Sequence, residues 1–218
     1  MIATFADGRV DRITVGEPDN AAYAALLQWR ADTPGLTFQY PDFHRLQVEH
    51  WIWTRLQPTP SEQRVLDIGV YDRKDWVGPQ YRAFGAPDTA CDIEGDLLTP
   101  GALGTGWDVI ICAEVLEHCE RPHDAVRLMR EALAPCGRLL LTSPFIWPDH
   151  RTSDYPDFWR FTEQAWHLLC RDFAAVTVTP CQFTDSGKAA YHLLRQAEGM
   201  GFAGLTYATT GYLVEAVK

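Results

Sequence analysis

No apolar run in this sequence approaches the roughly 20 residues needed to cross a bilayer. The opening stretch MIATFADGRVDR carries acidic residues where a secretory leader would have a basic start and an apolar core. The expected location is the cytoplasm, with no membrane partner. Positive charge is also scarce: 19 Lys and Arg face 29 Asp and Glu, a formal net charge of −10. That balance works against broad attraction to phosphate backbones, so no nucleic-acid partner is expected. Six cysteines are present, Cys91, Cys112, Cys119, Cys136, Cys170 and Cys181, but none forms a Cys-x-x-Cys pair. They read as reduced, mostly structural thiols, and no metal site is expected from them. A Gly-x-Gly-x-x-Gly turn is missing, which excludes a typical dehydrogenase, and a Gly-x-Ser-x-Gly elbow is missing, which excludes a typical serine hydrolase. There is no internal repeat, low-complexity tract or long linker.

What is present suits one sizeable core. The chain has 218 residues, 46% hydrophobic and 22% charged, the balance of a soluble globular domain. Apolar residues at helical spacing predict a helix over 20–30, and a second is bounded by Pro41 and Pro58. These define an N-terminal helical extension or lid over residues 1–60, followed by the main domain over 61–218. From Arg64 onward, short β-type runs alternate with helical ones, the signature of parallel βαβ units. The strand runs are RVLDI, QYRAFG, TACDI, WDVIIC and GRLLLTS. Between the last two lies a helix begun by Pro122, with Ala125, Leu128, Met129, Ala132 and Leu133 on one apolar face and Pro135 and Gly137 at its end. Thr162 caps a further helix, the strand AAVTVTP follows, then a helix in GKAAYHLLRQAEGM and a last strand GYLVEAV. Two closing strands after a βα series suggest an antiparallel edge on a mixed sheet of about seven strands.

In such a sheet a ligand lies beyond the carboxyl ends of the strands, where strand order reverses. Four segments converge there. At the first turn, Gly69 can let the backbone approach a ligand, and the Asp67 carboxylate can accept N–H bonds or an ammonium group. The second is DTACDIEGD, with Asp88, Asp92, Glu94 and Asp96. If QYRAFG is the second strand and TACDI the third, Asp96 suits an adenine amino group and Asp88 or nothing suits the ribose; if TACDI is the second strand, Asp92 takes the ribose. The third puts Ala113 and Glu114 at the mouth of the sheet, with Glu117 and His118 after them, a pair that more often stabilises a turn than does chemistry. The fourth, PFIWPDHRTSDYPDFWRFT, holds His150 as the obvious base, with Asp149, Asp154, Tyr155 and Asp157 as alternatives. Arg160 can pair with an acidic acceptor or, structurally, with Asp157. Trp147, Tyr155, Phe158, Trp159 and Phe161 can stack on a ligand or pack the loop against its sheet.

The run VLDIG, then GD, then WDVIICAEVLEHCERPHDAVRLMREALAPCGRLLLTSP resembles class I S-adenosylmethionine-dependent methyltransferases, in the subgroup carrying Leu-Glu-His. The match covers about Arg64 to Ser143, and PDFWRFT with His150 upstream looks like a segment found in some of these enzymes. The resemblance implies an α/β fold, a Rossmann-like seven-stranded mixed sheet with helices on both faces, that binds S-adenosyl-L-methionine. By that resemblance Asp67 and Gly69 lie at the methionine end, Asp92 or Asp88 near the ribose, Asp96 near the adenine, and Ala113, Glu114 and Val115 along the cofactor. On the acceptor side, His150, Asp154 and Tyr155 are the catalytic candidates. Two departures stand out: Gly69-Val70-Tyr71 replaces the usual Gly-x-Gly, and Cys136 occupies a common glycine position. The activity implied is methyl transfer to O or N of a small-molecule acceptor, such as a sugar or natural-product intermediate. The alternative is a protein of this fold that binds without transferring. The assembly state is left open between monomer and homodimer.

Overall fold

The computed structural model describes residues 2–6, 9–14, 21–33, 42–57, 62–69, 73–87, 89–152, 155–185, 187–191 and 209–218. The chain opens on an antiparallel strand pair, β1 (Ile2–Ala6) and β2 (Arg9–Thr14), with a register shift between Thr4 and Phe5. The N-terminal extension, expected to be helical, thus also carries a strand pair. Its sequence cue was Asp7-Gly8 between the two runs, a dipeptide that favours tight hairpin turns. Two helices follow, α1 (Ala21–Asp32) and α2 (Phe43–Leu56). Asp42 caps α2 by accepting the Arg45 N–H at 2.9 Å.

The sheet begins with β3 (Val65–Ile68), and a single helical turn, α3 (Lys74–Val77), leads to β4 (Tyr81–Gly85) and the two-residue β5 (Ile93–Glu94). Then come β6 (Trp107–Ala113), α4 (Pro122–Ala132), β7 (Leu133–Pro144), α5 (Glu163–Leu169), β8 (Ala175–Pro180) and β9 (Gly211–Val217). The strand order is β5-β4-β3-β6-β7-β9-β8. β9 runs antiparallel to both neighbours and the other pairings are parallel. The expected seven-stranded mixed sheet with an antiparallel edge is therefore the observed one. The helix expected after Gly187 is seen through Tyr191, and its remainder lies outside the described residues.

Side-chain alternation sorts the sheet into two faces. Leu66, Ile68, Ile110, Cys112, Leu139 and Leu141 pack with α4 and α5 through Ala125, Met129, Trp166 and Leu169. Val65, Val109, Ile111, Ala113 and Leu140 pack with α2 through Val48, Trp51, Ile52 and Leu56. Each buried Val, Leu or Ile contributes about 1.5–3 kcal/mol relative to exposure, so the Val48, Ile52 and Leu56 contacts anchor α2 to the sheet.

Two sequence expectations are corrected here. Leu133, read as part of the α4 apolar face, is the first residue of β7; the helix stops at Ala132 because Leu133 is already extended. Of TACDI only Ile93 is strand, pairing through Ile93–Glu94 with Phe84–Gly85. That makes 81–85 the second strand and removes the alternative in which TACDI was. Near the start of β7, Gly137 has no room for a side chain, since a Cβ would meet the Ala134 and Trp107 carbonyl oxygens at 2.9 Å. Its neighbour Cys136 takes the left-handed conformation, φ 61°, without being glycine.

Candidate functional site

Strand order reverses between β3 and β6, so the crevice lies past Ile68 and Ala113. Gly69 turns the chain there with φ 103°, a conformation L side chains rarely adopt, and its N–H donates to the Phe84 carbonyl at 2.9 Å. Val70, Tyr71, Asp72 and Asp88 lie outside the described residues.

Asp67 does not reach the crevice as an open acceptor. It is wholly buried, both its oxygens accept from Arg73 Nη1 at 2.9 and 2.7 Å, and Tyr81 Oη donates to Oδ2 at 2.9 Å. Arg73 uses its other edge on Glu49 of α2: Nε to Oε2 is 2.9 Å and Nη2 to Oε1 is 2.8 Å. Arg45 closes on the same Glu49 oxygen at 2.5 Å. The guanidinium therefore lies on the α2 face of the sheet, beside the first residue of β4. Burial pushes the Asp67 carboxyl up to about 6, and the Arg73 charge and hydrogen bonds pull the other way. Burial also works to raise Glu49, but the charges of Arg73 and Arg45 outweigh it and hold that carboxyl below its usual range. Arg73 stays charged throughout, its own burial overcome by two carboxylates. Asp67, expected to receive a ligand ammonium, is in this structure paired with Arg73 and Tyr81 through three hydrogen bonds. Glu49 and Arg73 were not singled out as partners, although Glu49 and His44 interrupt the apolar face of α2, a cue for buried charge.

Asp92 precedes β5, and its carboxylate accepts the Ala83 N–H at 2.8 Å, bracing the edge of the sheet at the amino end of that strand. A ribose role for it required TACDI to be the second strand, which it is not. Asp96 follows β5 at the carboxyl end, where one oxygen accepts the Leu98 N–H at 2.9 Å.

Ala113 is the buried last residue of β6, and Val115 is half-buried at the start of a 3₁₀ turn, Leu116–His118. Between them Glu114 has φ 55°, the left-handed region that non-glycine residues occupy at a cost of about 1–3 kcal/mol and that clusters at functional sites. Thr142 Oγ1 donates to its Oε1 at 2.7 Å, while Oε2 lies 3.5 Å from His44 Nε2, longer than a hydrogen bond. His44 Nδ1 is 3.0 Å from Thr210 Oγ1. Burial works to lower the His44 imidazole, but the Cys181 sulfur and the Glu114 carboxylate outweigh it and raise it to about 10. Cys181 is itself pushed up by burial and is a thiol at neutral pH, so the charge facing the imidazolium is that of Glu114.

The loop from Phe145 to Thr162 closes over the 3₁₀ turn, with Phe158 and Trp159 N–H groups donating to the Glu117 carbonyl at 2.8 and 3.2 Å. His150 Nδ1 and its backbone N both lie 3.1 Å from Asp157 Oδ2. Arg160 grips Asp157 with both Nη atoms, at 2.5 and 2.7 Å, and these hydrogen bonds hold the Asp157 carboxyl well below the usual range. The pairing of Arg160 is therefore the structural one. With Nδ1–H committed to Asp157, His150 offers its Nε2 lone pair. Asp154 lies outside the described residues, and Tyr155 is exposed at 56% with its ring 6.1 Å from that of His118. Among the loop aromatics only Phe161 is buried, against Trp166; Trp147, Tyr155, Phe158 and Trp159 are exposed.

No protein-family model and no curated protein matches the sequence. Solved structures do. An S-adenosylmethionine-dependent methyltransferase from Mesorhizobium loti aligns with 78% of this chain and 98% of its own, at 18% identity and a TM-score of 0.52. The N-methyltransferase NodS from Bradyrhizobium japonicum WM9, in complex with S-adenosylhomocysteine, aligns with 91% of this chain and 99% of its own, at 18% identity and a TM-score of 0.52. The chain has the class I methyltransferase fold. Its β6–α4–β7 unit is the part of that fold most plainly written in the sequence.

Proposed function

We propose that the protein is an S-adenosylmethionine-dependent methyltransferase acting on O or N of a small-molecule acceptor. The observation that carries the reading is the succession, at the switch point of this sheet and in the loop over it, of the left-handed turn at Gly69, the left-handed Glu114 and the Asp157-oriented His150. The residues fit the cofactor at most of its length. Gly69, with no Cβ, suits a close backbone approach by the methionine portion, the second Asp96 oxygen suits an amino group of adenine, and Ala113, Glu114 and Val115 would line the wall between. The methionine ammonium would find backbone carbonyls and the Glu114 carboxylate rather than Asp67.

Bound S-adenosylmethionine supplies a methyl group on a positively charged sulfur, open to displacement by an acceptor lone pair. On the acceptor side, His150 takes the acceptor proton on Nε2, and Asp157 stabilises the resulting imidazolium. Tyr155 and Trp147 provide exposed rings for the acceptor to stack on, and Asp154 belongs to the same loop. The formal net charge of −10 supports a small acceptor over a nucleic acid.

One observation favours a protein of this fold that binds without transferring: the internal use of Asp67 by Arg73. Against it, the guanidinium lies on the α2 face of the sheet, paired with Glu49. The test is incubation with methyl-labelled S-adenosylmethionine and a panel of small hydroxyl and amine acceptors, read by mass spectrometry. Labelled product that His150→Asn abolishes is the expected result. Cofactor binding without transfer to any acceptor would replace this reading with the binding-protein one.

A further inference from the structure

We infer that Glu117, His118 and His150 bind a divalent first-row transition-metal ion. Each offers one ligand atom, and the three atoms lie within 4.8 Å of one another. Around one ion at bond lengths of about 2.1 Å they would stand roughly 3.0–3.4 Å apart, so closure needs side-chain adjustments of about an ångström. Proximity alone would carry little, but the groups around the cluster prepare each ligand. Glu117 is completely buried, and among the described residues neither of its carboxylate oxygens has a hydrogen-bond partner. A buried polar group in that condition calls for an explanation such as a missing ion. His118 directs Nδ1 to the Pro156 carbonyl, which leaves Nε2, 3.9 Å from Glu117 Oε1, as the atom with the lone pair. His150 is fixed in the same way by the Asp157 carboxylate. Metal-ligating histidines characteristically give their second ring N–H to a carbonyl or carboxylate, and both forms occur here side by side.

The donor set decides the class of ion. Two imidazoles and one carboxylate suit zinc, iron(II), cobalt, nickel or manganese better than calcium or magnesium, which prefer oxygen donors. Glu114 and Asp157 add negative charge around the cluster, and the Arg160 charge is taken up by Asp157. Three protein ligands would leave coordination positions for water or an acceptor. The binding claim stands by itself; its consequence for catalysis rests on the methyltransferase reading. With an ion on its Nε2, His150 would no longer act as the base that takes the acceptor proton; an acceptor hydroxyl on an open position would instead be acidified by the ion and give its proton to solvent. The oxygen lone pair then forms the new bond to the methyl carbon as the carbon–sulfur bond breaks.

The experiment is stripping of the full chain with a chelator followed by titration with cobalt(II) alone. Stoichiometry is read by elemental analysis and coordination by the visible ligand-field bands. S-adenosylhomocysteine binding is measured calorimetrically on the same samples. About one cobalt per chain is expected, with affinity lowered at least tenfold in Glu117→Gln, His118→Asn and His150→Asn but unchanged in Cys136→Ser. No stoichiometric uptake, or equal uptake by all four variants, would overturn the proposal. Cobalt binding without S-adenosylhomocysteine binding would uphold the site and remove the cofactor reading; the reverse result would do the opposite.

Discussion

Two clusters of ionisable side chains, one around Asp67 of β3 and one on the turn after β6, are finished to different degrees. In the first, Arg73 satisfies Glu49 and Asp67 with four hydrogen bonds between 2.7 and 2.9 Å, and Tyr81 adds another. In the second, Glu117 is equally buried but makes no hydrogen bond among the described residues, while His118 and His150 are held by outside acceptors so that lone pairs face inward. A closed network needs nothing further and joins α2 to the sheet. An open one, at the same depth, costs stability unless something binds. Burial and charge alone would have ranked the two alike; the unspent acceptors separate them.

The comparison is open to direct attack. Arg73→Met leaves two buried carboxylates facing each other and should cost about 3–5 kcal/mol in chemical denaturation. A loss under about 1 kcal/mol would mean that the network does not anchor the fold. His44 gives the next effect, through pH. Its imidazole is raised from about 6.5 to about 10 in the folded chain, so its stabilisation is fully present below pH 6.5 and disappears as pH rises toward 10. Denaturation midpoints across that window should fall in the native chain and change less in His44→Gln; parallel curves would refute the pairing with Glu114. Cys136→Gly should stabilise by up to about 1 kcal/mol, because the left-handed conformation costs a side chain roughly 1–2 kcal/mol and glycine returns part of that as unfolded-state freedom. Glu117→Gln should move stability least of the buried sites, by about 1 kcal/mol or less, since no hydrogen bond is lost. If it cost as much as Arg73→Met, the second cluster would be as structural as the first.

The alternation of strands and helices from Arg64 was legible because Pro122 starts α4, Thr162 starts α5, and the strands are short apolar runs between turn residues. β5 was misjudged over residues 89–92 because the Asp92 carboxylate, bonded to the β4 backbone, holds that segment in a turn. Gly69, Glu114 and His150 were readable as site candidates from position alone. The Glu49–Arg73–Asp67 network was not, because it joins α2 to β3 across a long stretch of chain and no local spacing encodes it. Nor did spacing mark Glu117 and His118 as more than turn residues; that depends on a loop about 30 residues downstream folding back to bring His150 beside them.

The most direct test of the account is calorimetric titration of the protein with S-adenosylhomocysteine, repeated with Gly69→Val, which places a branched side chain where φ is 103°. Binding in the micromolar range, weakened by the substitution, is the predicted result. No heat and no thermal shift with either S-adenosylhomocysteine or S-adenosylmethionine would contradict it.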